Sequence, residues 1–580
     1  MKTTKNIARL AVTAGLTAAL SFGGVMSPVT MAFAAGSSTV TFEDPDYATS
    51  TTYKGIQIFK AKVTKDNGAT TASDIEWAGT GTEIKTAVVS AIRAKDKNYN
   101  SDNAQDAADW LSTQAGVTGT DSKVASDNVL SLIAANLKDS TAWKKTATGT
   151  ATLSGLDAGY WLFLTDTAGK PNGKSTDTFT SPVYAAIDGT STTVVKPKKN
   201  IPTVEKKILD DSKAKDDLKT VPEGDWKDVA DSQIGQVVNY RLTGTIASNY
   251  ATYDSYAYKF TDVLSDGLDY VDGSVNVYAL NGSTYTPINE SDYFVTNADA
   301  SNGNTLTVEF KVDGTDKGLK DVAGVDANTQ IVVFYKAKLN TSAIIAGANN
   351  QMNGNPNTVT LEYSNNPMST GVGISAPDTV KDYTYGLKIN KVDLGTEKAL
   401  KDAKFTITTN GDEKSTEVKY VKKDGTLSDS VVELSTDADG LIKLTGLDAG
   451  VYTVTETSAP EGYTKVEPFT FEIEPTMNAN DPDAGLTALS GTLDSKNQSD
   501  KVIAGLTDKS AGDNKLTAQA GSEKVTDGYF NITVGNTKQI NLPLTGLNGV
   551  TFTWIAGGAV LCIGVAHLIR SRKRDDGSEE

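Results

Sequence analysis

Short runs in which apolar and polar residues alternate recur along most of this 580-residue chain. NPNTVTLEY (355–363) and YGLKINKVD (385–393) are two examples. Alternation with period two places every second side chain on the same face, which is typical of a half-buried β-strand. Turn signals recur between these runs, and only residues 83–97 and 126–138 look helical. The pattern predicts a mainly β protein of tandem immunoglobulin-like sandwiches, with some helix in its N-terminal domain.

The chain contains one cysteine and one histidine, Cys562 and His567, both near its C-terminus. The residues before them therefore offer no thiolate nucleophile, no Ser-His-Asp triad, no His or Cys zinc site and no disulfide. A net charge of −17 argues against a nucleic-acid partner, because a polyphosphate would be repelled. We expect neither a cofactor nor a metal, since Asp437-Ala438-Asp439-Gly440 fits a hairpin turn better than a calcium site.

The N-terminus has the organisation of a secretory signal. Lys2, Lys5 and Arg9 form a basic start, an apolar stretch follows, and Ala32-Phe33-Ala34 supplies small residues for cleavage. We assign residues 1–35 to a signal peptide. The alternative, an N-terminal membrane anchor, is disfavoured because the apolar stretch is short and is broken by glycines.

The C-terminus has the organisation of a membrane stop. Residues 550–569 carry no charge and are long enough for one spanning helix, and a basic cluster follows directly. We assign residues 547–580 to a transmembrane helix and a cytoplasmic tail. Just outside this segment lie Leu542, Pro543, Leu544, Thr545 and Gly546. They resemble the LPxTG signal that sortases of Gram-positive bacteria cleave, which implies transfer of the Thr545 carboxyl to an amine.

The remaining sequence divides into three units. We expect an N-terminal domain at 36–195, a middle domain at 201–376 and a C-terminal domain at 377–541, with 542–546 as the sorting signal. Residues 196–200 form a linker whose last two lysines lie between Pro197 and Pro202. One internal echo, SGLDAGYWLFLTDT (154–167) with TGLDAGVYTVTET (445–457), suggests that the first and third units share a strand pair.

Two similar sets of polar residues extend apolar stripes of predicted strands. Each set has a lysine near the start of its domain, an acid in the middle and an asparagine near the end. They are Lys206, Asp262 and Asn357 in the middle domain, and Lys391, Glu456 and Asn536 in the C-terminal domain. An isolated buried charge costs many kcal/mol, so each would need a partner.

Amide formation is one reaction open to such a set. Burial lowers the pKa of a lysine and raises that of a carboxyl, so both can be neutral together. A neutral amine is a nucleophile, and a protonated carboxyl can polarise the asparagine carbonyl and pass protons to the leaving ammonia. The product would be an intramolecular Lys–Asn isopeptide bond. Alternation alone leaves a buried salt bridge with a nearby asparagine as the alternative.

Three motifs resemble those of sortase-assembled Gram-positive backbone pilins. YTVTETSAPEGY resembles their E-box, LKINKVDLGTEKALKDAKFTI resembles the opening strand of Cna-B-type domains, and TVGNTK resembles the closing strand. The resemblance implies a catalytic role for Glu456 and a bond between Lys391 and Asn536. In the middle domain it implies Asp262 as the acid and Lys206–Asn357 as the bond. Lys207 and Asn355 are substitutes, which we place on the opposite strand face.

The linker sequence VVKPKKN resembles the pilin motif VYPKN, whose lysine accepts the neighbouring subunit. The aligned residue is Lys198. The sequence departs from the motif at Lys196, where tyrosine is usual, and at Lys199, where asparagine is usual, so Lys199 stays an alternative acceptor.

The resemblance implies a structural backbone subunit joined from Thr545 to Lys198 of the next copy, in wall-anchored fimbriae that mediate adhesion. It implies no enzymatic activity beyond self-directed isopeptide formation. The implied partners are identical subunits, pilus-specific and housekeeping sortases, peptidoglycan, minor pilins and an unidentified host surface or matrix ligand. A monomeric wall-anchored adhesin is the alternative. We expect no isopeptide bond in the first domain, because Thr165 aligns with Glu456 and Asp166 is one residue out of register.

Overall fold

The structure is a computed structural model that describes residues 36–539, except for 67–68, 80, 115–123, 172–173, 313, 348–352, 411–416, 494–501, 506–514 and 520–527. The predicted signal peptide, sorting signal and transmembrane segment lie outside the described residues. Among the helices of the described ranges, none combines the length and apolar character that a bilayer crossing requires.

The N-terminal domain is built from β1 (Ser38–Phe42), β2 (Thr52–Asp66), β3 (Ala69–Trp77), α1 (Glu83–Lys95), α2 (Ala104–Thr113), α3 (Val129–Leu137), β4 (Lys144–Lys145), β5 (Thr152–Leu156), β6 (Gly159–Thr167), β7 (Val183–Ile187) and β8 (Thr192–Val195). A sheet of order β3-β2-β6-β7, with β4 on β2, lies between the helices and a small sheet of order β5-β1-β8. Each face of the central sheet buries its own apolar core.

The helices follow the expected local rules. The apolar face of α1 buries Ile84, Val88 and Ile92, and the two predicted helical segments form α1 and α3. Asn103 begins α2 by accepting hydrogen bonds from two backbone amides, as an N-cap residue does. Helix α2 was not predicted, because its buried face is mostly alanine.

The middle domain is a two-sheet sandwich of β9 (Val204–Leu209), β10 (Trp226–Lys227), β11 (Val229–Asp231), β12 (Val237–Gly244), β13 (Tyr258–Leu264), β14 (Leu268–Tyr270), β15 (Asn276–Asn281), β16 (Thr284–Pro287), β17 (Phe294–Thr296), β18 (Thr305–Phe310), β19 (Gln330–Leu339), β20 (Asn355–Ser364), β21 (Val372–Ile374) and β22 (Asp378–Tyr383). One sheet has the order β10-β9-β12-β19-β15-β16 with β14 on β19, and the other has the order β11-β22-β20-β13-β18-β17 with β21 on β20. Because β22 pairs with β20, this sheet continues past residue 376.

Several connections of this domain contain short 3₁₀ helices, at Asp211–Lys213, Leu218–Thr220, Glu223–Asp225, Tyr250–Thr252, Glu290–Asp292, Ala300–Asn302 and Leu319–Asp321.

The C-terminal domain is a second two-sheet sandwich, made of β23 (Tyr385–Asp393), β24 (Lys404–Thr409), β25 (Lys419–Val421), β26 (Leu427–Ser428), β27 (Leu434–Ser435), β28 (Leu441–Leu447), β29 (Gly450–Ser458), β30 (Tyr463–Thr464), β31 (Phe469–Met477), β32 (Leu486–Leu493), β33 (Val502–Gly505), β34 (Lys515–Gln519) and β35 (Tyr529–Lys538). Its sheets have the orders β28-β23-β35-β30, with β33 on β35, and β26-β25-β24-β29-β31-β32-β34, with β27 on β24. The predicted mainly β fold with tandem sandwiches is confirmed.

The repeated sequence GLDAG corresponds to the same connection in both domains, where the chain passes from one sheet to the other. In the first domain β5 and β6 lie in different sheets, and in the third β28 and β29 do the same. Glycine occupies the sharp turn in both, with φ of 149° at Gly159 and 116° at Gly450. A Cβ at Gly159 would lie 2.1 Å from the Phe59 carbonyl oxygen, so this close crossing requires glycine.

Candidate functional site

The C-terminal domain brings Lys391, Glu456 and Asn536 together in its core. The first strand, β23, lies parallel to the last strand, β35, with Lys391 opposite Val534, so Asn536 is two residues further along and on the same face. Glu456 comes from β29 in the facing sheet. All three side chains are buried, as alternation predicts.

Glu456 contacts both of the other residues. The Lys391 ammonium lies 3.3 Å from Glu456 Oε1. Asn536 Nδ2 donates to Glu456 Oε1 at 3.0 Å and to the Thr464 carbonyl at 3.0 Å, while the Val466 amide donates to Glu456 Oε2 at 2.8 Å. The carboxyl is thus held in place by the backbone and bridges an amine and a carboxamide.

The middle domain also brings its three predicted residues together, but across the sandwich. Lys206 lies on β9 in one sheet, whereas Asp262 on β13 and Asn357 on β20 lie in the other. Lys206 is fully buried and its ammonium lies 2.5 Å from Asp262 Oδ2. A bond between Lys206 and Asn357 would therefore join the two sheets, whereas one between Lys391 and Asn536 would join two neighbouring strands of one sheet.

A fourth residue, Tyr335 on β19, completes the middle cluster. Its hydroxyl accepts hydrogen bonds from Lys206 Nζ at 2.8 Å and from Asn357 Nδ2 at 2.6 Å. The ring stacks on Tyr240, with centroids 5.1 Å apart and an interplanar angle of 13°. Sequence reasoning missed Tyr335, because β19 is buried on both faces and its alternation is lost.

Burial changes the proton affinity of the middle cluster. It lowers the pKa of Lys206 to about 8, and Asp262 opposes this shift. The neutral, nucleophilic form of this amine is therefore easier to reach than that of an exposed lysine. Burial and the Asp262 charge raise the pKa of Tyr335 well above its usual value, so the phenol keeps its proton.

The two substitutes have other partners. The Lys207 ammonium is part-exposed and lies 2.6 Å from Asp228 Oδ1. The placement of Asn355 on the opposite face is wrong: it is two residues from Asn357, shares its face and is 1% exposed. Its amide oxygen accepts from the Ile344 amide at 2.8 Å, and its Nδ2 donates to the Asp382 carbonyl at 3.1 Å.

The lysines of the predicted linker lie at the junction of the first two domains. The Lys198 amide donates to Thr180 Oγ1 at 2.7 Å, and the Lys198 carbonyl accepts from the Ser181 amide at 3.1 Å. The Lys199 side chain is 1% exposed, and its ammonium lies 2.9 Å from Asp44 and 2.5 Å from Asp177. These two acids are distant from Lys199 along the chain, so no local sequence pattern indicates them.

Some of the remaining predicted positions lie outside the described residues and others lie within them. Leu542, Pro543, Leu544, Thr545 and Gly546 lie outside the described residues. Thr165, aligned with Glu456, is buried and its hydroxyl accepts from the Thr180 amide at 3.0 Å. Asp166 lies 2.9 Å from Lys145, towards solvent.

The Asp437–Gly440 segment is a turn. Asp437 Oδ1 accepts from the amides of Asp439 and Leu441 at 2.9 and 2.8 Å, and Gly440 has a φ of 71°. Within the described ranges, no group of three or more His, Cys, Asp or Glu residues is arranged to hold a metal ion.

Comparison with solved structures finds similar folds at low identity. The T6 backbone pilin of serotype M6 Streptococcus pyogenes is 16% identical, with 87% of this chain and 99% of that chain covered and a TM-score of 0.47. The full-length major pilin SpaD from Corynebacterium diphtheriae is 18% identical, covers 87% and 98%, and has a TM-score of 0.44. BcpA, the major pilin subunit of Bacillus cereus, is 14% identical, covers 87% and 100%, and has a TM-score of 0.37.

Comparison with curated protein sequences gave no match. Two family models match separate parts of the chain. The Gram-positive pilin backbone subunit 2, Cna-B-like domain, matches residues 234–367, and the SpaA prealbumin-like fold domain matches residues 386–483. These segments contain Asp262 and Asn357 in the first case and Lys391 and Glu456 in the second. The middle part of the chain is therefore similar to the Cna-B-like domains of Gram-positive pilin backbone subunits, and the part that follows it is similar to SpaA prealbumin-like domains.

Proposed function

We propose that the chain is the backbone subunit of a covalent, wall-anchored pilus, strengthened by one Lys–Asn isopeptide bond in each of its last two domains. The observation that carries the proposal is the pair of buried clusters. In each, a lysine amine lies within ion-pair distance of a carboxyl, and a buried asparagine carboxamide is hydrogen-bonded to Glu456 in one cluster and to Tyr335, a partner of the lysine, in the other. Two tandem domains repeat this costly arrangement on different strands, which a fold needing only stability would not require.

In the C-terminal domain the reaction uses Glu456 as the proton-transferring acid. The Lys391 amine attacks the Asn536 carbonyl carbon, the new N–C bond forms, and Nδ2 leaves as ammonia. One proton passes from the attacking nitrogen to the leaving one through the carboxyl, which already contacts both. Asp262 is the corresponding acid for Lys206 and Asn357. Both products are uncharged, which relieves the cost of burying two ions.

Polymerisation joins Thr545 of one subunit to Lys198 of the next. The burial of Lys199 between two carboxylates supports Lys198 over Lys199 as the acceptor, because an acceptor amine must reach the sortase active site. The sorting signal then fixes the last subunit to peptidoglycan. On this proposal the protein is a sortase substrate and a structural element, with no turnover of its own.

Intact mass spectrometry tests the internal bonds. The purified extracellular part should weigh two ammonia molecules less than its sequence. Glu456→Ala and Asp262→Ala should each restore one, whereas the exposed acid variants Glu461→Ala and Asp266→Ala should restore none. A mass equal to the sequence in the unmodified chain would reject the bonds, and an unchanged mass deficit in Glu456→Ala would reject that residue's role.

Immunoblotting of cell walls tests the polymer. Wild-type cells should show a high-molecular-weight ladder that Lys198→Ala abolishes and Lys196→Ala leaves intact. A single discrete band from wild-type cells would favour the monomeric adhesin instead. Tandem mass spectrometry of a cross-linked peptide would identify the acceptor lysine directly.

A further inference from the structure

The two clusters differ in how the amine is connected to the carboxamide. In the C-terminal domain Glu456 contacts both Lys391 and Asn536. In the middle domain Asp262 contacts Lys206, but Asn357 Nδ2 donates a hydrogen bond to the Tyr335 hydroxyl. The phenol oxygen lies 2.8 Å from the attacking nitrogen and 2.6 Å from the leaving one. The shorter aspartate thus shares the task that one glutamate performs in the other domain.

We propose that Tyr335 is a second catalytic residue of the middle domain and passes the proton from the Lys206 amine to the departing Asn357 nitrogen. This inference rests on the isopeptide bond of the proposed function. It assigns to the phenol a step that Glu456 performs alone in the C-terminal domain.

The step balances without any other reagent. Asp262 takes a proton from the Lys206 ammonium and leaves a neutral amine, whose nitrogen attacks the Asn357 carbonyl carbon. As the N–C bond forms, the phenol oxygen accepts a proton from the attacking nitrogen and donates its own to Nδ2. The C–Nδ2 bond breaks, ammonia leaves, and Tyr335 ends as a neutral phenol, ready to hydrogen-bond the product amide.

The surroundings hold the hydroxyl at this position. Tyr335 is fully buried, its ring stacks on Tyr240, and β19 pairs along its length with β12, placing Tyr335 directly opposite Tyr240. The Lys206 ammonium lies 5.1 and 5.2 Å from the centroids of the Tyr335 and Tyr240 rings. These cation–π contacts favour a position of the amine beside the two rings. In the C-terminal domain the aromatic ring near Lys391 is that of Phe405, at 5.8 Å, which has no hydroxyl.

Tyr335→Phe is the test, because it keeps the ring and removes only the relay oxygen. We expect the middle-domain bond to form about 100-fold more slowly, the lower end of the range for a lost general acid. Time-resolved cell-free synthesis followed by intact mass and peptide mapping would measure the rate, and the C-terminal bond supplies an internal clock. Tyr258→Phe is the matched control, since it removes a buried hydroxyl of the same core that donates to the Thr245 carbonyl.

The outcomes separate the two proposals. Loss of the middle bond in Tyr335→Phe, with a folded domain by near-UV circular dichroism and a normal C-terminal bond, supports the relay. Formation at the wild-type rate, or faster, overturns it while leaving the isopeptide bond itself intact. Absence of the bond in the wild-type chain overturns the proposed function instead. If Tyr335→Phe and Tyr258→Phe slow the reaction equally, the effect is structural and the relay is rejected.

Discussion

At the scale of single residues, Lys199 is unusual for a linker lysine, because its side chain is only 1% exposed. Lys199 is enclosed by Asp44 and Asp177, which come from two separate parts of the N-terminal domain. Burial raises the pKa of Asp177, and the Lys199 charge opposes this shift. The Lys199 side chain therefore fastens the linker to the N-terminal domain, next to Lys198, the proposed acceptor.

Replacing Lys199 should consequently destabilise the N-terminal domain. Lys199→Met leaves two buried carboxylates without their cation, which we expect to cost about 3–5 kcal/mol. Lys196→Met removes a solvent-exposed ion pair with Glu43 and should cost less than about 1 kcal/mol. Denaturant unfolding of the isolated variants would compare them, and equal midpoints would show that the buried pair contributes nothing.

The residues of the two clusters were predictable because strand alternation and burial are directly linked. Each of the six polar residues extends a stripe whose apolar members are buried in the structure. Alternation did not predict which groups contact these six side chains. Tyr335 lies on a strand buried on both faces, and the groups that hold Glu456 and Asn536 include the backbone of Val466 and Thr464, which has no sequence signature.

At the scale of elements, the two proposed bonds join different pairs. In the C-terminal domain the proposed bond connects β23 and β35, which are already neighbouring parallel strands of one sheet. In the middle domain it connects β9 to β20 in the opposite sheet. Either bond closes a loop of about 150 residues, and a cross-link of that span constrains the unfolded chain as a disulfide does.

The cross-link should therefore be a large part of each domain's stability. Glu456→Ala, which prevents the C-terminal bond, should lower that domain's free energy of unfolding by about 5 kcal/mol. Calorimetry should show one transition moving down while the middle-domain transition stays in place, and Asp262→Ala should give the reverse pattern. Loss of the bond by mass without any fall in the transition temperature would contradict this expectation.

The segment after β11 forms a polar joint between the middle and C-terminal domains. The Ile234 amide donates to the Gly446 carbonyl at 2.9 Å, and the Gln233 side chain accepts from the Asp448 amide at 3.0 Å. A group of acids lies beside this joint.

Asp231 and Asp382 are buried in this group. The carboxyls that influence one another here are those of Asp210, Asp211, Asp231, Asp382 and Asp448. Burial raises the pKa of Asp231 to about 7 and raises that of Asp382 well above its usual value.

This joint should be weaker at neutral pH than in acid. Because the folded-state pKa values exceed the unfolded ones, the protons stabilise the fold fully below pH ~4, and this stabilisation is lost as pH rises through about 7. Asp382→Asn keeps the shape without the charge and should raise stability at pH 7.5 by about 1–3 kcal/mol, with little effect at pH 4. Thermal melts at both pH values would measure it, with the exposed Asp481→Asn as control. A variant equally stabilised at both values would exclude titration as the cause.

The elements themselves were predictable to different degrees. Leucine, isoleucine and valine repeat along α1 and α3, so their helical period is visible in the sequence. The buried face of α2 consists of Ala104, Ala107, Ala108, Leu111 and Ser112, whose small side chains give little contrast with the polar face. The passage from the middle to the C-terminal domain has no turn signal in the sequence: β22, which pairs with both β11 and β20, is followed by β23 after a single residue, Thr384.

At the scale of the whole molecule, the proposed linkage defines a load path. Tension would enter at Lys198 and leave through the C-terminal strand β35, so it would cross the middle and C-terminal domains and bypass the N-terminal one. Lys206 lies eight positions beyond Lys198, and Asn536 lies near the end of β35, so each bond is placed close to where force enters or leaves its domain. The domain outside this path is the one in which threonine, at position 165, aligns with Glu456, the proposed acid.

Single-molecule stretching between positions 198 and 539 should therefore distinguish the domains. The wild-type segment should show no extension that corresponds to the unfolding of a whole domain, because the residues between the two bonded positions cannot be stretched out. Asp262→Ala should add one unfolding step of up to about 500 Å, since about 150 residues extend by ~3.3 Å each. Glu456→Ala should add one step of similar size, and the double variant should add two. A residue segment closed by an isopeptide bond cannot extend by this length. Steps of that size in the wild-type molecule would therefore mean that the bonds are absent and that non-covalent strand pairing alone carries the force.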